Sequence, residues 1–272
     1  IEAVRGIPSA VIHKKDAPYY NWFLLNQKHP LFKDRRVRQA MAMAFDKETI
    51  ANKILKGMVQ PASGPVQPAI KWAYPKDVKG LPYDPARAKK LLAEAGWKPG
   101  PGGILQNSKG EKFTFEISGD KGNPTRELMF QVSRQMLGKI GIDAKVKLYE
   151  FNALMKIYRS GRYAARFAYW ITPPDPDVTD YFGTGGGRNF IKYSNPEVDK
   201  LLKKGVSTTD RKKRAAVYRV VQKLLAEDVP GIYMYYKPEY IAVHKRIKGY
   251  PKIGIRDWLL YVNEMDIDKK FN

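Results

Sequence analysis

Residues 163–182 read YAARFAYWITPPDPDVTDYF, and this stretch governs how the rest of the chain is interpreted. Its first half, Ala164 to Ile171, predicts a buried strand, because it is aromatic and apolar with Arg166 as its only charge. Two prolines end the strand, since proline has no N–H to donate to a sheet. An acidic Asp-Pro-Asp segment follows at 175–177. Two interpretations are open: polar groups delivered to a ligand at a sheet end, or a core strand followed by a surface turn.

The segments that precede this strand predict an α/β architecture. Lys112–Ser118 and Asp143–Glu150 alternate as strands, and a helix opens between them at Asn123. A short helix at Asn152–Tyr158 then leads into the strand at 164. Strand, helix, strand, helix, strand at this spacing indicates crossover helices packed on a sheet.

Further elements follow from capping residues and β-forming runs. Strands are expected at Tyr19–Asn26, Ile232–Lys237 and Ile241–Lys245. Further helices are expected after the N-caps Asp34, Asp46 (ending at Gly57), Asp84, Asn195 and either Thr209 or Asp210. The proline-rich segment from Met58 to Tyr83 reads as a long ordered loop.

Composition excludes several kinds of site. The 272 residues suffice for one large domain or two modest ones and include no cysteine, so disulfides, thiolate nucleophiles and cysteine-bound metals are excluded. The three histidines, at 13, 29 and 244, are far apart and fit no metal-binding spacing. We therefore expect no metal and no cofactor. No run of 18 apolar residues predicts a membrane span.

The formal net charge of +22 raises the possibility of a nucleic-acid partner, since Lys and Arg release counterions from phosphate. The alternative is a solvated basic surface. The basic residues are spread from Arg5 to Lys270, and no zinc-finger or RNP-type motif accompanies them. We therefore expect no nucleic acid, and a basic nucleic-acid-binding module remains a remote alternative.

Five short segments follow one another across about residues 19–245. They are Asn26 with PLFKDRRVRQA at 30–40, Gly64-Pro65 with Pro68, YDP at 83–85 through LLAEAGW at 91–97, Asp175-Pro176-Asp177, and YSNPEVD at 193–199. In this series they resemble the family 5 extracellular solute-binding proteins, the peptide-binding receptors of bacterial ABC importers. The pattern Tyr218, Gln222 and Glu227-Asp228-Val229-Pro230 extends the resemblance.

The resemblance implies a fold and a domain plan. Family members are roughly twice this length and close two lobes over a ligand. The expected fold is the C-terminal lobe of a periplasmic-binding-protein-like (type II, cluster C) structure, a mixed sheet flanked by helices. Residues 19–245 would form that lobe, 1–18 would be a strand or linker of the first lobe, and 246–272 a return segment. Trp258 and Tyr261 in that segment would pack on the first lobe.

The resemblance also assigns ligand contacts to the strand predicted at 164–171 and to the residues just after it. Arg166 falls where some members place a cation near the ligand's carboxylate or backbone, and Tyr169 and Trp170 would form a stacking wall. Thr172 falls where peptide-binding members carry the aspartate that pairs with the peptide amine. Without that carboxylate a buried ammonium loses about 1.5–3 kcal/mol. Either Asp175 replaces it, or the ligand has no free amine there.

The predicted function is a receptor that captures a peptide or peptide-like solute and delivers it to an ABC permease, with the ligand favouring the closed state. The alternative within the family is a non-peptide solute, such as an oligosaccharide or an opine. An enzyme using Asp175 and Asp177 or Glu150 is disfavoured, because such neighbouring carboxylates more often form a turn. We expect no catalytic residue. The resemblance implies a periplasmic or cell-surface protein, monomeric at full length, whose signal peptide precedes residue 1.

Overall fold

A mixed six-stranded sheet with helices on both faces is the body of the chain in this computed structural model, which describes residues 2–172, 174–250 and 265–268. The helices are α1 (Glu2–Arg5), α2 (Arg35–Met43), α3 (Lys47–Thr49), α4 (Pro85–Glu94), α5 (Pro124–Gly138), α6 (Phe151–Arg159), α7 (Thr179–Phe182), α8 (Pro196–Ser207) and α9 (Arg211–Asp228). The strands are β1 (Ala10–Lys15), β2 (Tyr19–Leu25), β3 (Gln60–Pro61), β4 (Lys98–Pro99), β5 (Leu105–Gln106), β6 (Thr114–Asp120), β7 (Asp143–Tyr149), β8 (Ala165–Ile171), β9 (Gly231–Tyr236), β10 (Glu239–His244), β11 (Ile247–Lys248) and β12 (Asp266–Ile267).

The strand order of the main sheet is β3-β9-β2-β8-β6-β7. β6 runs parallel to both β7 and β8, whereas β2 is antiparallel to β8 and β9. The helices α5 and α6 make the crossovers from β6 to β7 and from β7 to β8. The predicted α/β architecture with crossover helices is confirmed.

The pleat of the central strands separates two hydrophobic cores. Phe23 of β2 and Phe167 of β8 point to the first face, where α2, α4 and α5 cover them. Trp22 and Ala168 point to the second face, beneath α6, α7, α8 and α9. Alternate residues of a strand face opposite sides of the sheet, so each central strand contributes to both cores.

The predicted helix starts are confirmed by hydrogen bonds. In each case the cap side chain accepts a bond from a backbone N–H of the first turn, at Asp34, Asp46, Asp84, Asn123, Asn195 and Asp210. None of the described helices is long and apolar enough to cross a membrane.

The helix predicted from Asp46 to Gly57 differs from expectation. It is α-helical only to Thr49 and continues as a π-helical turn at Ile50–Ile54. The N–H of Leu55 reaches back five residues to the carbonyl of Ile50, at 2.8 Å, which widens the turn. Sequence periodicity does not distinguish this hydrogen-bond pattern from an α-helix.

A two-stranded ribbon lies apart from the main sheet. β1 pairs antiparallel with β10, from Ala10 with His244 to Lys15 with Glu239. This ribbon joins β1, in the segment 1–18 that the domain plan assigns to the first lobe, to β10, at the end of the lobe that the plan places at 19–245. The domain plan itself stays a prediction. Trp258 and Tyr261 lie outside the described residues.

Candidate functional site

A groove of about 1060 Å³ lies on the first face of the sheet. β6 and β8 pair only at Ile117 with Ala165 and Ser118 with Arg166, and beyond these pairs the two strands separate. The chain then leaves β6 for α5 on the first face and leaves β8 for α7 on the second face. Strand ends whose connections leave to opposite faces form the usual ligand crevice of open α/β sheets.

Aromatic and polar side chains from the central strands line one wall of the groove. Tyr19 and Asn21 of β2 and Tyr169 of β8 point into it. The rings of Tyr19 and Tyr169 meet edge to face at 6.5 Å between centroids. Tyr169 is 49% exposed, whereas Asn21 is buried. A half-exposed aromatic ring in a concave site is a common ligand contact.

A β-bulge in β9 adds a further tyrosine to this wall. The pairing of β2 with β9 passes from Asn21–Tyr235 directly to Trp22–Tyr233, leaving Met234 unpaired. Without the extra residue Tyr235 would share the second face with Tyr233. The bulge turns Tyr235 to the groove, as bulges near functional sites often do.

An anchored arginine forms the end of the groove at α5. Arg126 donates a hydrogen bond from Nη1 to Oδ1 of Asp120 at 2.7 Å, and the same nitrogen forms an ion pair with Oδ2 at 2.7 Å. Its guanidinium carbon lies 5.4 Å from the centroid of the Tyr169 ring. The opposite end holds Glu239, whose carboxylate accepts a hydrogen bond of 3.0 Å from the Tyr19 hydroxyl.

Of the five predicted ligand contacts, Tyr169 is the one that lines this groove. Arg166 belongs to the second face and is 7% exposed. Its guanidinium packs 4.6 Å from the ring centroid of Tyr158, and its Nη1 contacts the Met155 sulfur at 3.4 Å. Burial lowers the pKa of Arg166, because it penalises the charged form.

Trp170 also belongs to the second face, where its ring lies 4.5 Å from both Trp22 and Tyr181. Tyr169 and Trp170 therefore do not form one continuous wall, because successive strand residues point to opposite faces. Thr172 is buried, and its hydroxyl accepts a hydrogen bond from the buried amide of Gln67. The roles of Trp170, Thr172 and Arg166 as ligand contacts stay predictions.

Asp175 takes part in a turn held by an ion pair. Its two oxygens accept hydrogen bonds of 2.8 and 2.5 Å from the guanidinium of Arg214. The hydrogen bond from Arg214 lowers the pKa of Asp175. Asp175 also accepts from the N–H of Asp177 at 2.9 Å, which is the geometry of an Asx turn. This arrangement agrees with the turn interpretation of the acidic segment.

Sequence reasoning missed the groove residues outside β8, among them Tyr19, Asn21, Arg126, Tyr235, Lys237 and Glu239. One signal was available in β2. Alternate residues of β2 share one face, and on this face the apolar Phe23 and Leu25 give way to the polar side chains of Tyr19 and Asn21 toward the start of the strand. This change of polarity indicates that the face leaves the core there. Among the described residues no three His, Asp or Glu side chains lie close enough to hold a metal ion. The prediction of no metal is not tested by this.

Comparison with known proteins adds the following findings. The family model of the bacterial extracellular solute-binding proteins, family 5 Middle, matches residues 1–190. The oligopeptide-binding protein AppA of Bacillus subtilis is 36% identical over 246 residues, 88% of this chain and 45% of its own length. The chain spans about half the length of the curated relatives it matches.

Solved structures give the same correspondence. AppA of Bacillus subtilis, in complex with a nonapeptide, superposes with a TM-score of 0.87 at 33% identity, over 98% of this chain and 54% of its own. NikZ of Campylobacter jejuni, in complex with Ni(L-His), superposes with a TM-score of 0.85 at 25% identity, over 97% of this chain and 55% of its own. The expected fold, a periplasmic-binding-protein-like mixed sheet flanked by helices, is confirmed.

Proposed function

The chain belongs to the bacterial extracellular solute-binding proteins of family 5, and we propose that it forms one lobe of an importer receptor that captures a peptide or peptide-like solute. The observation that carries the proposal is Tyr169, half-exposed in a groove of about 1060 Å³ at the separated ends of β6 and β8. Clefts of this kind, aromatic with a few placed polar groups, suit small organic ligands.

The proposed mechanism is closure of two lobes over the ligand. The groove is bounded on one side by Pro238, Glu239 and Tyr240, at the start of the β1–β10 ribbon. A ligand held between this lobe and a second one contacts both only in the closed state. Such differential contact shifts the population toward closure.

Five residues were predicted as contacts, and the geometry supports them unequally. Tyr169 would stack on the ligand, and Arg126 beside it would bind a polar group. Arg166 and Trp170 would act from the second face, by fixing β8. Thr172 and Asp175 already bond to Gln67 and Arg214.

A non-peptide solute is the second candidate. The position at which peptide-binding members carry an aspartate for the ligand's amine is Thr172, whose side chain is neutral and buried. A ligand without a free amine loses nothing there. AppA was solved with a nonapeptide and NikZ with Ni(L-His), so relatives of this chain bind a peptide in one case and a non-peptide solute in the other.

The wider role follows from the family. We propose that the complete protein acts outside the cytoplasm as a monomer, hands its ligand to an ABC permease, and has no catalytic activity. The turn geometry of Asp175 and Asp177 supports the last point, because both carboxylates already accept backbone hydrogen bonds.

The test is retention of a random pentapeptide pool by the complete two-lobed protein, measured by equilibrium dialysis with mass spectrometry. Tyr169→Ala should lower retention about tenfold, since stacking and burial of an aromatic ring contribute about 1–2 kcal/mol. Tyr83→Ala is the matched control, because Tyr83 is 44% exposed and does not line the groove.

Retention that is unchanged in Tyr169→Ala would reject this groove as the binding site. If no peptide is retained, the same assay with mono- and oligosaccharides decides whether the second candidate holds. If the protein retains neither peptides nor saccharides, the proposed function is rejected.

A further inference from the structure

The lining of the groove carries an excess of positive charge. Among the described lining residues one is acidic, Glu239, and four are basic, namely Arg5, Lys56, Arg126 and Lys237. Charges that line a concave surface reinforce one another, because low-dielectric walls focus their field into the cleft. A ligand in this groove therefore meets a positive potential.

Two acidic side chains that the structure describes, Glu239 and Asp120, lie at or beside the groove, and neither forms an ion pair with Lys237. Glu239 accepts a hydrogen bond from Tyr19 and forms no ion pair within the described part of the chain. Asp120 is 6% exposed and lies behind Arg126. Its charge also stabilises the buried Arg166, so two guanidinium groups share one carboxylate.

Arg126 is held in a fixed orientation. Its Nη1 is anchored on both oxygens of Asp120, and the ring of Tyr169 lies against the guanidinium. Within the described part of the chain its Nη2 donates no hydrogen bond. An arginine whose orientation is already fixed loses little entropy when it binds a carboxylate.

We propose that this groove selects ligands that carry an anionic side group, and specifically acidic peptides. A carboxylate would bind at Arg126, with the adjoining hydrocarbon resting on Tyr169, and the surrounding cations would favour further negative charge. This selectivity rests on the proposed function, because it names the class of solute taken by the same groove.

The alternative is that these basic residues belong to a generally basic surface, since the whole chain has a net charge of +22. The two accounts differ in whether the location of a basic residue, inside or outside the groove, affects ligand preference. Only selectivity predicts that removing a cation inside the groove matters more than removing one elsewhere.

The experiment uses the complete two-lobed protein and two peptide pools, X-X-Glu-X-X and X-X-Lys-X-X, each with random residues at X. Retention of each pool is measured by equilibrium dialysis at physiological ionic strength. We expect the Glu pool to be retained about fivefold more strongly than the Lys pool, which corresponds to about 1 kcal/mol.

Two variants inside the groove and one control locate the effect. Arg126→Gln and Lys237→Gln should each reduce the preference to about twofold or less. Lys237 is exposed and pairs with no acid in the described chain, so its variant keeps the test valid if Arg126→Gln is unstable. Lys90→Gln on α4 is the matched control, because Lys90 is exposed outside the groove.

The outcomes distinguish a failure of the proposed selectivity from a failure of the proposed function. Equal retention of both pools, or stronger retention of the Lys pool, overturns the selectivity and leaves the proposed function intact. A preference that both groove variants retain in full overturns the assignment to this groove. Retention of neither pool overturns the selectivity and counts against a peptide receptor.

Discussion

At the scale of a single residue, the sequence locates Arg166 in a strand but does not determine its role. Its position as the only charge in a buried strand is evident from the sequence. In the structure its guanidinium faces Tyr158 and Met155, and no carboxylate lies within 4 Å of it in the described chain. Its Nε has no hydrogen-bond partner among the residues that the structure describes. A buried charge with such weak partners costs stability.

Replacing Arg166 by methionine should therefore raise the free energy of unfolding by about 1 kcal/mol, because the hydrophobic side chain fills similar space without a buried charge. Urea denaturation of the chain measures this. Arg126→Met is the contrasting variant and should lower stability, since it leaves Asp120 without its ion pair. A large loss of stability in Arg166→Met would show that the contact with Tyr158 outweighs the cost of burial.

Lys47 is a second residue whose environment governs its chemistry. Its Nζ donates to the carbonyl of Ala62 at 3.0 Å, and burial lowers its pKa to about 8. Because the folded state binds this proton more weakly than the unfolded state, stability should rise as the pH is raised from about 8 toward the ordinary lysine value near 10.5.

Between pH 7 and pH 9.5 the free energy of unfolding should increase by about 1–2 kcal/mol through this residue. Burial raises the pKa of Tyr20 and Tyr233, so these tyrosines stay protonated over that range. Urea denaturation at several pH values measures the rise. Lys47→Met should remove most of it, and a rise that persists in the variant would assign the effect to another group.

At the scale of elements, close packing fixes how α5 lies on the sheet. Gly119 of β6 faces Phe130 of α5 so closely that an added Cβ would lie 1.9 Å from the ring carbon Cζ. Phe130 is in turn packed against Phe167 of β8, at 5.9 Å between ring centroids. The absence of a side chain at 119 thus lets α5 approach and carry Arg126 to the groove.

Gly119→Ala should lower the free energy of unfolding by about 1–3 kcal/mol, because the ring of Phe130 has to move within a packed core. Gly138→Ala, near the end of the same α5, is the matched control. Apart from its chain neighbours and the backbone of α5 itself, no described atom lies within 4 Å of the added methyl group there. Because alanine favours helix, a gain of about 0.5–1 kcal/mol is expected. Thermal or urea unfolding distinguishes the two, and equal effects would contradict the packing argument.

At the scale of the whole molecule, the proposed closure depends on a partner lobe. The chain spans 45% of AppA and superposes on 54% of the AppA structure. The groove is open on one side, so the ligand would remain exposed unless a second surface covers it.

Binding of the retained peptide pool should decrease the radius of gyration of the complete protein, which small-angle X-ray scattering measures. Tyr169→Ala should show no decrease at the same peptide concentration, and Tyr83→Ala should behave like the unmodified protein. An unchanged radius in the unmodified protein at saturating ligand would exclude closure as the mechanism.

The sequence by itself determined the local elements and the family. Capping residues such as Asp84 and Asn195, and alternation such as that around Phe115 and Ile117, act within a few residues of the chain, so they can be read without the fold. The ordered series of motifs was enough to identify the family, because several weak signals in fixed order are specific together.

Only the tertiary structure decided which residues share the groove. Tyr169 and Trp170 are neighbours in sequence but lie on opposite faces, whereas Tyr169 and Arg126 are 43 positions apart and in contact. The bulge that turns Tyr235 into the groove exists only through the pairing of β9 with β2. The physical reason is that a groove forms where the sheet, its bulges and its covering helices leave space, and that space depends on pairings between distant segments.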